Sequence, residues 1–198
     1  MPHLVVVAGP NGAGKTTAAP KLLRDTLKIV EFVNADQIAI GLSGFRPEAT
    51  AFQAGRLMVA RIHELASRNE SFAFESTLAS RSFAPFIRRL RQRGYDFLLV
   101  YLWLASAKQA RERVAERVRR GGHSVPGAVV TRRYSRSLAN FFQLYRDLAD
   151  EWRLYDNAGD YDDAQLVAAG NGQTASRIVD SRLWHRLSRR YGKDGQRP

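Results

Sequence analysis

Cysteine is absent from the 198 residues, which excludes disulfides and a thiol nucleophile and fits a cytoplasmic protein. Long apolar runs are absent too. The longest, Leu98 to Ala105, is far short of a membrane span, so no membrane partner is expected. The first apolar run begins at once, an arrangement that leaves no room for a signal peptide. Acidic residues are scarce: 19 Asp+Glu stand against 31 Lys+Arg, a net charge of +12. Such a surface favours nucleotides, sugar phosphates or nucleic acid, although arginines on solvated helix faces give the same excess. No repeat and no low-complexity linker divides the chain, so its length fits one domain with a tail.

What is present is a phosphate loop. Gly9-Pro10-Asn11-Gly12-Ala13-Gly14-Lys15-Thr16 matches G-x-x-x-x-G-K-[ST] without a gap. Before it, His3 to Ala8 is a β-branched apolar run that reads as a buried strand. After it, Thr17 to Leu27 reads as a helix, apart from Pro20. Strand, loop and helix together give the pattern a mechanism. Gly9, Gly12 and Gly14 let backbone N–H groups converge, and the helix N-terminus adds positive potential. Lys15 reaches the β- and γ-phosphates, and Thr16 offers its hydroxyl to Mg²⁺. Asn11, Ala13 and Thr17 complete the expected ATP site.

Further on, Ile29 to Ala35 reads as a second strand with Asp36 at its C-terminal edge, where doubly wound sheets bind ligands. Gly41 to Pro47 is turn-rich, and Pro47-Glu48 starts a helix. Phe72 to Thr77 is a strand carrying Glu75 and Thr77 at its exit, with Arg81 just beyond. Phe83 to Arg93 is a helix, and Asp96 to Leu104 a strand buried on both faces. Ser106 to Arg120 is a helix with Arg113, Arg117 and Arg120 on one face. Gly121 to Gly127 breaks it. Apolar residues from Val130 to Trp152 predict one long helix. Arg153 to Asn157 and Gln165 to Ala169 read as strands, and Thr174 to Tyr191 as an Arg-rich helix with a frayed tail after it.

A small-molecule kinase needs a phosphate cradle, a metal, a base, positive charge and water exclusion. Asp36 is the candidate base; its bland alternative is a cap for Gln37-Ile38-Ala39. Glu75 is a candidate for a metal-bound water or a substrate hydroxyl, or simply a partner for an arginine. Thr77 is a weaker substrate contact. The arginines around Gly121–Gly127 resemble a lid, with His123 unassigned. A transport ATPase reading lacks its Leu-Ser-Gly-Gly-Gln-like signature and an acidic pair after the apolar strand.

Val33-Asn34-Ala35-Asp36, Phe74-Glu75-Ser76-Thr77-Leu78, the run Arg113 to His123 and Leu154-Tyr155-Asp156-Asn157 resemble the zeta toxin family of P-loop kinases, in its short stand-alone bacterial branch. The resemblance covers about residues 3 to 170. It implies an α/β P-loop fold like that of nucleoside monophosphate kinases, with a parallel sheet, helices on both faces and an Arg-rich lid. It implies ATP- and Mg²⁺-dependent phosphorylation of a hydroxyl, in the toxins that of UDP-N-acetylglucosamine. Lys15, Asp36, Arg117 and Arg120 then take the catalytic roles, with Thr16 on the metal and Asn157 on the nucleotide side. Asp36, Glu75, Thr77 and Arg81 face the substrate. Where the toxins carry a longer insertion this chain has only Gly121–Gly127, and Arg132 or Arg133 is the alternative to one lid arginine. The implied organisation is a kinase domain over 1–170, its lid at about 117–133, and a helix and tail over 171–198. The implied partners are a nucleotide sugar and a separate antitoxin, with none fused to either end. Two other readings remain: a nucleic-acid-binding ATPase or polynucleotide kinase, and a nucleotide-gated interaction module.

Overall fold

The computed structural model describes residues 1–159 and 164–192. The first strand, β1 (His3–Ala8), is buried from Leu4 onward, because a central parallel strand is covered on both faces. Then come α1 (Lys15–Pro20), β2 (Glu31–Val33), α2 (Ala35–Leu42), α3 (Ala51–Ser67), β3 (Phe72–Ser76), α4 (Phe83–Gln92), β4 (Asp96–Trp103), α5 (Ala107–Arg119) and α6 (Gly127–Asn140). The short α7 (Arg146–Leu148) precedes β5 (Glu151–Asp156), β6 (Gln165–Asn171), β7 (Thr174–Ile178) and α8 (Ser181–Tyr191). One seven-stranded sheet runs β2-β3-β1-β4-β5-β6-β7. The first five strands are parallel, and β6 and β7 join as an antiparallel hairpin. Helices cover both faces. Leu4, Val6 and Phe74 pack in the larger core with Met58, Ile62 and Leu138, while Val5 and Val7 pack with Ala19 and Leu23 on the other side. This is the α/β P-loop architecture expected from the strand–loop–helix beginning.

Several boundaries differ from the sequence reading. The first helix starts at Lys15, and from Lys21 to Thr26 it widens into a π-helix. Pro20 has no N–H to give the turn before it, which weakens α-type bonding at that point. The second strand spans only Glu31–Val33. Ile29 instead packs with Leu23 and Ala19, its N–H on the Leu23 carbonyl at 2.9 Å. Asn34 caps α2, so Asp36 sits in a helix's first turn rather than at a strand edge, and Gly41 lies inside α2. The expected helix to Trp152 ends earlier. It passes into a π-turn over Phe141–Tyr145 and stops at Leu148, and Trp152 lies in β5. Asp150 fixes this turn by accepting from the Phe97 N–H at 3.0 Å and from Arg91. Burial pushes the Asp150 carboxyl up, but the Arg91 guanidinium and the Phe97 N–H prevail and hold it below its usual range. Thr174–Ile178, read as helix, is β7; the two-residue turn Gly172-Gln173 joins it to β6. The expected fraying falls on residues 193–198, outside the described residues.

Candidate active site

The phosphate loop leaves the C-terminal end of β1, between its neighbours β3 and β4. Gly9 takes φ 143°, and a Cβ there would collide with the Leu102 carbonyl, so only glycine lets the loop lie against β4. Gly14 is the left-handed cap of α1, which turns the first N–H groups of that helix toward the loop.

The Lys15 side chain is 6% exposed. Its Nζ donates to the Pro10 carbonyl at 2.9 Å and stands 3.5 Å from Glu75 Oε1. Glu75, at the end of β3, gathers the neighbouring groups. Thr16 Oγ1 donates to Glu75 Oε2 at 2.8 Å, and Asn34 Nδ2 donates to the same oxygen at 2.7 Å. Asn34 is 3% exposed, and its Oδ1 accepts from the N–H groups of Asp36 and Gln37 at 2.8 and 3.3 Å. One buried amide therefore ties the Thr16–Glu75 pair to the helix that carries Asp36. Sequence reasoning missed this part of Asn34. The signal was its cap chemistry ahead of a helix, hidden because Asn34 was assigned to a strand.

Asp36 Oδ2 lies 3.6 Å from Arg117 Nη1, in the last turn of α5, and both side chains are partly exposed. Arg117 Nε and Nη2 are buried with no hydrogen-bond partner among the described residues. The Gly122 N–H donates to the Arg117 carbonyl at 2.9 Å. A Cβ on Gly122 would stand 2.6 Å from Arg117 Cγ, so glycine lets the chain fold back over this arginine. Arg120 is at the rim, mostly exposed, with Nε on Glu116 Oε1 at 2.9 Å. Lys15, Thr16, Thr17, Glu75, Arg117 and Arg120 line one cavity of about 530 Å³ with Gly12, Gly14, Arg113, Glu116 and Gly122. That volume is in the range of small-molecule sites.

Other expected residues take different places. Asn157 is buried beneath the loop, its Nδ2 donating to the Ala13 carbonyl at 2.8 Å. Arg113 braces the same corner through Nη1 to the Asn157 carbonyl at 2.8 Å, and it also bonds the Gly159 carbonyl. Asn11 is buried, and its Oδ1 has no hydrogen-bond partner among the described residues. Thr77 and Arg81 do not line the loop cavity. Thr77 Oγ1 accepts from the Ala79 N–H at 3.4 Å. Arg81 Nε donates to Asn140 Oδ1 at 3.0 Å, and with Arg136 it lines a second recess of about 570 Å³. Buried Leu78 takes φ 52°, left-handed backbone that a bulky residue adopts only when its surroundings fix it. Its carbonyl accepts from Asn140 Nδ2 at 2.7 Å. Arg132 and Arg133, on α6, line neither space. Tyr134 anchors the end of β4 by donating to the Leu104 carbonyl at 2.7 Å, and burial pushes its phenol up to about 12.

The family model that matches the chain describes an AAA domain, over residues 4–143. An uncharacterized protein of Haemophilus influenzae is 27% identical over 130 residues, which are 66% of this chain and 91% of that one. Among solved structures, the AvrRxo1-ORF1:-ORF2 complex superposes with a TM-score of 0.71 at 18% identity over 95% of this chain. The chain spans 64% of the AvrRxo1 chain it matches. The PezAT chromosomal toxin-antitoxin system of Streptococcus pneumoniae superposes with a TM-score of 0.64 at 12% identity, over 100% of this chain and 80% of that one. At such identities the likeness is one of fold. Among the described residues, no helix is long and apolar enough to cross a membrane.

Proposed function

The chain belongs to the AAA domain family, and from that premise we propose that it is an ATP- and Mg²⁺-dependent kinase acting on a hydroxyl of a small anionic metabolite. One observation carries the reading. A carboxylate, Asp36, stands 3.6 Å from Arg117, an arginine that lines the phosphate-loop cavity and whose Nε and Nη2 are buried with no hydrogen-bond partner among the described residues. Phosphoryl transfer needs this pair: a base for the attacking hydroxyl and positive charge for the moving phosphoryl group.

Lys15 binds the β- and γ-phosphates, exchanging its contact with the Pro10 carbonyl for phosphate oxygens. Thr16 and Glu75 fit Mg²⁺, their side-chain oxygens 2.8 Å apart beside the loop. Among the described residues no group of three His, Cys, Asp or Glu gathers to cage a metal. Thr16 would hold the ion through its hydroxyl, and Glu75 would bind it or a water on it. Mg²⁺ held there would supply positive charge to the triphosphate. Asp36 takes the proton of the acceptor hydroxyl as the hydroxyl oxygen bonds to the γ-phosphorus and the bond from that phosphorus to the β,γ-bridging oxygen breaks, releasing ADP. Arg117 shares its guanidinium between Asp36 and the transferring group, and Arg120 adds charge from the rim. Asn34 fixes where Asp36 stands relative to Thr16. Arg81 and Arg136 bind an anionic group of the acceptor in the second recess.

The zeta toxin resemblance favours UDP-N-acetylglucosamine as the acceptor, and the likeness in fold to the PezAT toxin-antitoxin system favours a separate antitoxin as the partner. The test is phosphorylation of pure acceptors by γ-labelled ATP: UDP-N-acetylglucosamine, other nucleotide sugars, nucleosides and short RNA. UDP-N-acetylglucosamine is expected to gain one phosphate. A labelled RNA end with no labelled sugar nucleotide would replace this reading by that of a polynucleotide kinase.

Gly121–Gly127 closes over the site as a lid, because Gly122 already packs on Arg117. Amide hydrogen exchange across this segment is expected to slow when ATP and acceptor are both bound. Unchanged exchange would contradict lid closure.

A further inference from the structure

The last helix carries a second surface, one that goes beyond the kinase reading and does not rest on it. Helix α8 has two unlike faces. Leu183, Trp184 and Leu187 are buried. Trp184 stacks on Trp152 with ring centroids 5.3 Å apart and also packs on Phe142. Outward, Arg182, His185, Arg186, Arg189 and Arg190 are all exposed. Asp180 caps the helix through the Leu183 N–H, and no acidic residue follows within it.

Several arginines elsewhere in the protein are neutralised. Arg61, Arg68, Arg91, Arg119 and Arg153 each face a carboxylate within ion-pair distance. Among the described residues, none of the α8 arginines does. Among the described residues, His185, Arg186, Arg189 and Arg190 bound a recess of about 320 Å³. Arg182, Arg186 and Arg189 fall at i, i+4 and i+7, a line of about 10 Å along the helix. Arg186 is already placed, its guanidinium carbon 5.8 Å from the centroid of the Trp103 ring.

We propose that this face of α8 binds the phosphate backbone of a nucleic acid strand. This row of guanidinium groups presents donors that match phosphate oxygens, and binding would release the strand's counterions. An acidic protein partner is less well served. Protein interfaces are built around buried aromatic and aliphatic anchors, and the apolar residues of this helix are turned inward. A polyanion needs no such anchor.

The experiment is fluorescence anisotropy of a labelled single-stranded RNA of mixed sequence, without ATP, from about 50 to 200 mM KCl. Four phosphate contacts on a single strand predict a log–log salt slope of about 3 in the wild-type protein. The combined variant Arg182→Gln, Arg186→Gln, Arg189→Gln and Arg190→Gln keeps helix propensity. It is expected to bind at least about tenfold more weakly, with a slope near or below 1. Its circular dichroism and its ATP binding should match wild type. Lys15→Ala should bind RNA as wild type does, which separates this surface from the phosphate loop. Equal RNA affinity and slope in wild type and the quadruple variant would overturn the proposal. So would displacement of RNA by polyglutamate as effectively as by unlabelled RNA, or loss of RNA binding in Lys15→Ala.

Discussion

Lys15→Ala is expected to lower ATP affinity by about 10²- to 10⁴-fold, because about two charge-assisted hydrogen bonds of 1.5–3 kcal/mol each go with the ammonium. The structure explains why the fold should survive. In the protein as described, Lys15 answers Glu75 at 3.5 Å, but Glu75 keeps Thr16 and Asn34 as hydrogen-bond donors when the lysine is gone. The Pro10 carbonyl loses a donor, which fits a local loosening of the loop rather than global unfolding. Lys15→Met, which keeps much of the apolar stem, guards against a packing artefact. Calorimetry of ATP with Mg²⁺ checks the affinity, and thermal unfolding checks the fold. Near-wild-type ATP affinity in both variants would remove the phosphate loop from the account.

The second large effect belongs to Asp36. Asp36→Asn is expected to slow transfer to the true acceptor by about 10²- to 10⁴-fold, the usual contribution of a positioned base. ATP affinity should stay within a few-fold of wild type, because the carboxylate serves the acceptor and not the nucleotide. Stability should barely change. The cap of α2 is Asn34, so the substitution leaves the helix start intact. The ion pair with Arg117 joins two partly exposed side chains at 3.6 Å, a geometry that typically contributes about 0–1 kcal/mol. The loss of one acidic group from the first turn of α2 costs about 0.3–1 kcal/mol. A cap-only role for Asp36, the bland alternative open in the sequence, has no support in these contacts. Steady-state rates of acceptor phosphorylation decide the matter, and wild-type turnover by Asp36→Asn would show that another group takes the proton.

The sequence made the local chemistry legible. A phosphate loop is written in consecutive residues whose backbone forms the site, so Gly9 to Thr16 needed no tertiary information. The two-face burial of β4 was legible for the same reason, in an unbroken apolar run. What escaped depends on distant partners. Nothing near Glu75 in the chain says that Lys15, Thr16 and Asn34 converge on it, because that meeting is made by the pairing of β3 with β1 and β2. Trp152 continued a helical spacing numerically, but the turn before it is fixed by Asp150 reaching Phe97 and Arg91, more than fifty residues back. The strand Thr174–Ile178 had its turn signal in Asn171-Gly172, outweighed in the reading by the Arg-rich amphipathic stretch that follows. Arg81 was placed by its neighbours in sequence, whereas its side chain leaves the phosphate-loop cavity to reach Asn140 on α6.

The central claim is that phosphate moves from ATP to a hydroxyl other than that of water. The most direct measurement is the partition of label from γ-labelled ATP in a small-molecule cell extract, resolved into organic phosphate and inorganic phosphate. Wild type is expected to place most of the label on one or a few small molecules, Lys15→Ala to place none there, and Asp36→Asn to place about 10²-fold less or lower still. Label that appears only as inorganic phosphate, at equal rates in wild type and Asp36→Asn, would contradict the account.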